Sequence, residues 1–214
     1  DFSSLDVNIL KSCHTIKCDL TNNAQINKSL DQVLKLYGGV DILIANSGAA
    51  FEGGMINVQR EIIEKSMEIN FYSHHNIIQK IANIMITQDI GGSISLNLSK
   101  QSINPGKNFG PYGVAKASSL FFMKQYALEF GNYNIRVNGI NADRIKSGLL
   151  TNEFIKQRAK SRKMTPFQYL NNNLLKKQVQ PEDVAEAFFA QLSFEKTTGN
   201  IITVDGGNIE ASLR

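Results

Sequence analysis

The sequence predicts an α/β protein built on a doubly wound parallel sheet with helices on both faces. Short apolar runs alternate with longer stretches of helical periodicity along the 214 residues, which is the pattern of parallel strands joined by crossover helices. Several apolar runs end in polar residues, as at Ser99, and open α/β sheets bind ligands beyond such strand ends. Because no repeat or Pro/Gly-rich linker interrupts this order, residues 1–214 are interpreted as a single domain.

The individual elements follow from periodicity and from their end signals. Apolar residues at helical spacing predict helices over about residues 26–37, 61–88, 112–130 and 182–192. Short apolar runs predict strands at residues 40–45, 93–98, 135–140 and 200–204. Residues 143–180 fit neither pattern, because they are polar, basic and only weakly periodic.

Composition excludes several classes of protein. The hydrophobic content of 42% and the charged content of 20% are ordinary for a soluble globular domain. No apolar run approaches the ~20 residues that span a bilayer, so no membrane partner is expected. The two cysteines, Cys13 and Cys18, have the spacing of neither a disulfide framework nor a metal site. This favours a cytoplasmic protein without a bound metal.

The formal net charge of +4 raises the question of nucleic-acid binding. The densest basic cluster, residues 156–163, has no interleaved aromatic side chains on which bases would stack. A solvated helix face or flap explains such a cluster more simply. We therefore expect no nucleic-acid partner.

The strongest indication of chemistry is Tyr112, with Lys116 four residues later and Ser99 thirteen residues earlier. Residues four apart share one helix face, and a nearby ammonium should lower the tyrosine pKa from its usual value of about 10. A tyrosine tuned in this way exchanges a proton with a carbonyl or alcohol oxygen, which the Ser99 hydroxyl can hold in place. The Tyr–Lys spacing alone would indicate only a helix face, whereas the three residues together favour catalysis.

This combination resembles the short-chain dehydrogenase/reductase family, whose Rossmann-like fold is a doubly wound parallel sheet. The resemblance continues in order along nearly the whole chain. It is carried by Asp19 before Leu20-Thr21, Asn46-Ser47-Gly48, Asn70 in a central helix, the segment 136–140, the segment 181–185 and the segment 204–207.

The resemblance implies an NAD(P)-dependent oxidoreductase that interconverts an alcohol and a carbonyl by hydride transfer. Tyr112 would act as general base in oxidation and general acid in reduction, and Ser99 would orient the substrate oxygen. Lys116 would lower the tyrosine pKa and bind the nicotinamide ribose. Asn70 would hold a water that links Lys116 to solvent, unless it only satisfies the backbone of its own helix.

The resemblance also implies where the cofactor, NAD or NADP, would bind. The implied residues are Asp19, Leu20, Asn46, Ser47, Gly48, Tyr112, Lys116, Ala142 and Ile145. Asp19 would meet the adenine, although a helix-capping carboxylate before Thr21 is an equally simple interpretation. The sequence does not decide between NAD and NADP, because the deciding residue lies at the end of a second strand that is not recognisable here.

The substrate region departs from the commonest family pattern. Lys100, Gln101 and Arg144 are candidate substrate-binding residues, and the two cations suit a polar or anionic substrate if they are not simply solvated. Residues of about 143–180 correspond to the substrate lid of the family, the alternative being a surface excursion. The segments 99–101, 104–106, 108–113, 141–145 and 147–151 resemble the dehydrogenase half of bifunctional rhamnulose-1-phosphate aldolase/short-chain dehydrogenases. This implies lactaldehyde as substrate, a role in carbohydrate metabolism and an aldolase domain as a further partner.

The start of the sequence lacks the glycine-rich turn that cradles a cofactor pyrophosphate, since residues 1–17 contain no glycine. We therefore expect the first β-α-β unit of the fold to be absent, with weak cofactor binding and little turnover. In the strand order 3-2-1-4-5-6, residues 14–18 would be the third strand and residues 40–45 the fourth. We expect these two segments to pair directly, rather than to leave residues 40–45 as an exposed edge.

Two further expectations concern assembly and activity. The apolar residues Phe121, Phe122, Met123 and Tyr126 predict a homodimer or homotetramer formed through the helices at about 61–88 and 112–130. The alternative to an enzyme is a non-catalytic interaction module that keeps the fold without a cofactor.

Overall fold

The computed structural model describes residues 12–147 and 150–208. In this part of the chain one sheet contains the parallel strands β1 (Ile42–Ala45), β2 (Gly92–Asn97), β3 (Ile135–Ala142) and β4 (Ile201–Val204), in that spatial order. The predicted α/β class with a parallel, Rossmann-like sheet is therefore confirmed. Residues 1–11 of the glycine-free start, and Gly148 and Leu149 of the expected lid, lie outside the described residues.

Helices connect the strands, and those outside residues 143–180 lie at the predicted places. They are α1 (Asn23–Tyr37), α2 (Arg60–Met67), α3 (Ser73–Gln88), α4 (Gly110–Phe130), α5 (Asn152–Ser161), α6 (Pro166–Leu170) and α7 (Pro181–Leu192). The helix expected over residues 61–88 is continuous, but a π-helical segment, Glu68–Tyr72, separates α2 from α3. Such π-helical turns often occur at functional sites, and this one carries the buried Asn70.

The core lies between the central strands and the helices. Ile94 of β2 and Val137 of β3 are fully buried, and residues of α1, α3 and α4 pack with them in the largest apolar cluster. Each side chain of this size contributes roughly 1.5–3 kcal/mol when it is fully buried. A second cluster joins Ile140 of β3 to Val184 and Phe188 of α7. These two clusters fix the strand ends at which the site is built.

The expected pairing of residues 14–18 beside β1 is wrong. Residues 14–18 form no strand, and within the described residues β1 is hydrogen-bonded to β2 alone. Cys18 and Leu20 instead pack against the main core, directly before the turn that leads into α1. This packing holds the segment outside the sheet. Ile42 and Ile44 of β1 are consequently 49% and 43% exposed, as expected for an edge strand.

Residues 143–180 contain more regular structure than their weak periodicity predicts. The helices α5 and α6 are capped at their N-termini by Thr151 and Thr165, whose hydroxyls accept hydrogen bonds from the Phe154 and Gln168 amides. A small apolar cluster of Leu150, Ile155, Ala159 and Tyr169 joins the two helices. No helix within the described ranges has the length and apolarity needed to cross a membrane.

Candidate active site

A cavity of about 650 Å³ lies beyond the carboxyl ends of β1, β2 and β3. Its walls come from the residues that follow these strands, from the first turns of α4, and from α5, α6 and α7. Among the residues implicated from sequence, those that line it are Asn46, Ser47, Gly48, Ser99, Gln101, Tyr112, Lys116, Ala142, Arg144 and Ile145. The structure therefore gathers most of the expected site at one sheet edge, where open α/β sheets bind ligands.

Tyr112 and Ser99 form the centre of this site. Both side chains are buried, and their hydroxyl groups are hydrogen-bonded to each other. Burial raises the pKa of Tyr112, and the hydrogen bond with Ser99 lowers it by less. The expectation of a lowered tyrosine pKa is therefore wrong for this arrangement. The reason is geometric, since the phenol is only 7% exposed and the nearby ammonium lies over the ring.

Lys116 is almost completely buried beside Tyr112. Its Nζ atom lies 5.8 Å from the centroid of the Tyr112 ring and donates a hydrogen bond of 2.8 Å to the carbonyl oxygen of Asn97. Burial lowers the pKa of Lys116 to about 8, because a desolvated ammonium is less stable than one in water. The site thus holds a cation whose proton is released more readily than that of a surface lysine.

Asn70 holds the loop that follows β1. Its Oδ1 accepts from the Ala49 amide at 3.0 Å, and its Nδ2 donates to the Ala49 carbonyl at 3.0 Å and to Ser66 Oγ at 3.2 Å. The simpler interpretation, an asparagine serving its own helix backbone, is therefore wrong. Gly48 lies next to this contact, and a Cβ there would be 3.0 Å from Asn70 Oδ1 and 3.9 Å from Lys116 Nζ. A side chain at this position would force Asn70 to shift by a few tenths of an ångström, so glycine suits this close approach.

His74 contacts the same loop and was not identified from the sequence. Its Nε2 lies 2.8 Å from the Ser47 carbonyl oxygen and 3.0 Å from Ser47 Oγ. Burial, reinforced by the charge of Lys116, lowers the pKa of His74 to about 4. The imidazole is therefore neutral at pH 7, and we assign its proton to Nε2, which donates to the carbonyl. The contact joins residues 27 positions apart, so no local pattern indicates it.

Lys100 and Arg144 both contact Asp143. Lys100 Nζ and Arg144 Nε lie 3.1 Å and 3.4 Å from the same carboxylate oxygen, with all three side chains largely buried. The interpretation of two solvated basic residues is therefore wrong. Burial lowers the pKa of Lys100 against the opposing attraction of Asp143. Arg144, two residues after β3, also donates to the Tyr169 and Asn172 carbonyls. It therefore joins the end of β3 to the segment at and after α6.

Arg158 belongs to the basic cluster of residues 156–163, whose sequence favours a solvated helix face or flap. For Arg158 this interpretation is wrong. The residue is 8% exposed and lines the cavity. Its guanidinium carbon lies 4.7 Å from the Phe109 ring centroid and 5.9 Å from that of Phe154. Its Nη1 donates to the Lys107 carbonyl at 3.0 Å and lies 3.5 Å from Glu52 Oε1.

Asp19 and Leu20 are not among the residues that line this cavity. Asp19 is exposed, and its Oδ1 accepts from the Thr21 amide and hydroxyl, which lower the pKa of the carboxyl. The helix cap of α1 is Asn22, so the capping role considered for Asp19 is wrong. The contact of Asp19 with the adenine stays a prediction. Within the described ranges no three His, Cys, Asp or Glu side chains form a group that could hold a metal.

A family model described as enoyl-(acyl carrier protein) reductase matches residues 6–208. An uncharacterized oxidoreductase of Bacillus subtilis, YuxG, is 30% identical over 200 residues, which are 90% of this chain and 29% of that protein. The chain thus spans less than a third of this curated relative.

Solved structures give the same picture. A short-chain type dehydrogenase/reductase from Mycobacterium marinum is 25% identical with a TM-score of 0.81, over 90% of this chain and 74% of that one. A 7α-hydroxysteroid dehydrogenase complexed with NADH and 7-oxo glycochenodeoxycholic acid is 27% identical with a TM-score of 0.78, over 90% and 72% of the two chains.

Proposed function

The chain belongs to the short-chain dehydrogenase/reductase family, and we propose that it is an NAD(P)-dependent oxidoreductase that interconverts an alcohol and a carbonyl. The observation that carries this proposal is the hydrogen bond between Ser99 and Tyr112 with the Lys116 ammonium beside the ring, all at the wall of one cavity. A phenol, a hydroxyl and a buried cation at one point form the set of groups that can bind and protonate a carbonyl oxygen.

The strand ends suit a polar cofactor. Asn97 lines the cavity, and its Oδ1 is buried without a hydrogen-bond partner among the described residues, so it offers an acceptor to a ligand donor. Gly48 keeps the backbone close to Lys116. We assign cofactor contacts to Asn46, Ser47, Gly48, Lys116, Ala142 and Ile145. When bound, the nicotinamide gives or takes the hydride. The NADH complex of the related hydroxysteroid dehydrogenase supports this choice.

The chain's own residues would handle the proton. Because burial raises the pKa of Tyr112, its phenol is protonated at neutral pH and acts as the acid when a carbonyl is reduced. Ser99 holds the substrate oxygen next to it. When the phenolate forms, the nearby Lys116 ammonium is the group that would take up its charge by returning a proton, since burial lowers the pKa of Lys116 to about 8. A water held near Asn70 that returns the proton from solvent to Lys116 is part of the proposal.

We infer a small polar carbonyl compound as substrate, with lactaldehyde as the example given by the resemblance to the aldolase-linked dehydrogenases. Asp143 and Arg144 line the cavity, and Lys100 contacts Asp143, so this charged group supports a polar substrate. Residues 143–180 would form a lid, since Tyr169 lines the cavity and Arg144 ties the lid to β3. A role in carbohydrate metabolism in the cytoplasm follows from the same resemblance and belongs to the proposal.

Self-association through α3 and α4 also belongs to the proposal. Tyr72, the last residue before α3, is 46% exposed, and Phe121 and Leu128 of α4 are 65% and 75% exposed. Such aromatic and aliphatic side chains are costly to leave in water. Met123 and Tyr126 are instead buried in the protomer, so they would not contribute directly. A homodimer or homotetramer would bury the exposed residues.

The alternative is a non-catalytic interaction module that retains the fold. Titration with NADH, followed by nicotinamide fluorescence, together with turnover assays on small aldehydes, separates the two. An oxidoreductase shows saturable NADH binding and aldehyde-dependent NADH oxidation that Tyr112→Phe removes. Absence of both from the full-length protein would favour the interaction module.

A further inference from the structure

We propose that Arg158 recognises an anionic group, a carboxylate or a phosphate, on the substrate. The inference rests on the proposed oxidoreductase function and names its substrate class as small carbonyl compounds that carry such a group. A substrate of this kind would be preferred over the neutral lactaldehyde.

The first argument is the distribution of charge around the cavity. Lys100 and Arg144 share the carboxylate of Asp143, and Arg144 is further held by two backbone carbonyls. Among the described residues Arg158 is paired with Glu52, at 3.5 Å, and the Glu52 side chain is 35% exposed and therefore partly screened by water. Burying a guanidinium is costly unless an anion accompanies it. Arg158 is thus a buried lining arginine whose paired carboxylate is itself partly exposed, so an anionic ligand in the cavity would complete the compensation of its charge.

Second, the guanidinium of Arg158 is held in a fixed position, and two of its nitrogen atoms remain available to donate hydrogen bonds to a ligand. The ring of Phe109 fixes one face of the guanidinium, and Phe154 lies near it as well. Nη1 bonds the Lys107 carbonyl, whereas Nε and Nη2 of Arg158 make no hydrogen bond to the residues that the structure describes. A flat, fixed guanidinium with two donors along one edge matches the geometry of a carboxylate or phosphate.

The third argument is the position of Arg158 relative to the catalytic phenol. The Phe109 ring contacts the Tyr112 ring edge-on, with 5.6 Å between the two ring centroids. The Arg158 guanidinium lies over this same Phe109 ring. One aromatic ring therefore separates the guanidinium from the phenol in a cavity of about 650 Å³. A compound of a few carbons would place its carbonyl at Ser99 and Tyr112 and its anionic end at Arg158.

The test is a set of matched ligands with three variants of the protein. Arg158→Gln removes the charge, Arg158→Lys keeps the charge without the planar fork, and Arg162→Gln is the control. Arg162 follows Arg158 by four residues, at the end of α5. Its guanidinium carbon lies 5.5 Å from the ring centroid of Tyr169, a residue of the proposed lid, but Arg162 does not line the cavity. Calorimetry compares the binding of two anionic ligands, lactate and glycerol 3-phosphate, with that of the neutral propane-1,2-diol. KM and kcat are measured for the corresponding carbonyl compounds.

We expect the wild-type protein to prefer the anionic members of the set. Arg158→Gln should weaken binding and raise KM for them by about 10- to 100-fold, with changes below about threefold for the neutral compound and for NADH. Arg158→Lys should restore part of the loss, and Arg162→Gln should have no effect.

A uniform loss for neutral and anionic ligands would show that Arg158 only supports the fold, and a wild-type protein without anion preference would also overturn the inference. Calorimetry is independent of turnover. If no compound is turned over but anion binding still depends on Arg158, the oxidoreductase proposal fails and the assignment of Arg158 stands.

Discussion

The Lys116 ammonium lies over the Tyr112 ring, 5.8 Å from its centroid, and donates to the Asn97 carbonyl. The two side chains are therefore close in space while each is held by another partner, Ser99 for the phenol and Asn97 for the ammonium. Burial shifts their pKa values apart, upwards for Tyr112 and downwards for Lys116 to about 8. Because the phenol then holds its proton more tightly than the ammonium does, a phenolate formed at Tyr112 would readily take a proton from Lys116.

Tyr112→Phe should lower kcat for carbonyl reduction by at least about 100-fold, because the general acid is lost while the ring packing is kept. The dissociation constant for NADH should change less than about threefold, since Lys116 and the loop at Gly48 are untouched. Stopped-flow turnover and fluorescence titration measure the two quantities separately. Near-normal turnover in the variant would exclude Tyr112 as the proton donor.

Lys116→Met should make the free energy of unfolding change less with pH in the alkaline range. The folded-state pKa of Lys116, about 8, is below the unfolded value of 10.5, so the folded state binds fewer protons between these values. The free energy of unfolding of the wild type should therefore gain up to a few kcal/mol as the pH rises from about 8 to 10.5. Urea unfolding across this range should show that gain reduced in the variant. Parallel curves for the two proteins would contradict the assignment.

The sequence predicted those parts of the site that depend on residues near one another in the chain. Tyr112 and Lys116 lie on one helix face, and Ser99 follows a recognisable strand. Arg158 was misjudged because its burial depends on Phe109, which belongs to a loop 49 positions earlier in the numbering. His74 was missed for the same reason. Long-range packing of this kind leaves no periodic signal in one sequence.

The strand pairing of residues 14–18 failed for a related reason. It was inferred from strand order and from the need to pair backbone groups, and neither takes account of apolar side chains that pack against the core without joining the sheet. Cys18 and Leu20 do this, and the turn before Asn22 then leads directly into α1. Strand order restricts the possible topologies, but packing decides which segment joins the sheet.

His74→Gln should make the protein less sensitive to acid. The folded-state pKa of His74, about 4, is below its usual 6.5, so the stability present above pH 6.5 is lost as the pH falls towards 4. This linkage is worth at most about 3 kcal/mol. Glutamine can still donate to the Ser47 carbonyl but does not titrate. Urea unfolding at pH 7 and pH 4.5, with the exposed His14→Gln as control, should show a smaller loss in the His74 variant than in the other two proteins.

Gly48→Ala should damage the cofactor site more than a glycine substitution elsewhere. The new Cβ would lie 3.0 Å from Asn70 Oδ1, and Asn70 cannot easily move because it also bonds Ala49 and Ser66. We expect a loss of about 1–3 kcal/mol in stability from this overpacking, together with weaker NADH binding as the loop is displaced from Lys116. Gly131→Ala is a matched control, because nothing lies within 4 Å of its Cβ position and its φ is −56°. The control should keep wild-type NADH affinity and be neutral or slightly more stable. Equal NADH affinities for the two variants would show that the approach of Gly48 to Asn70 does not shape the cofactor site.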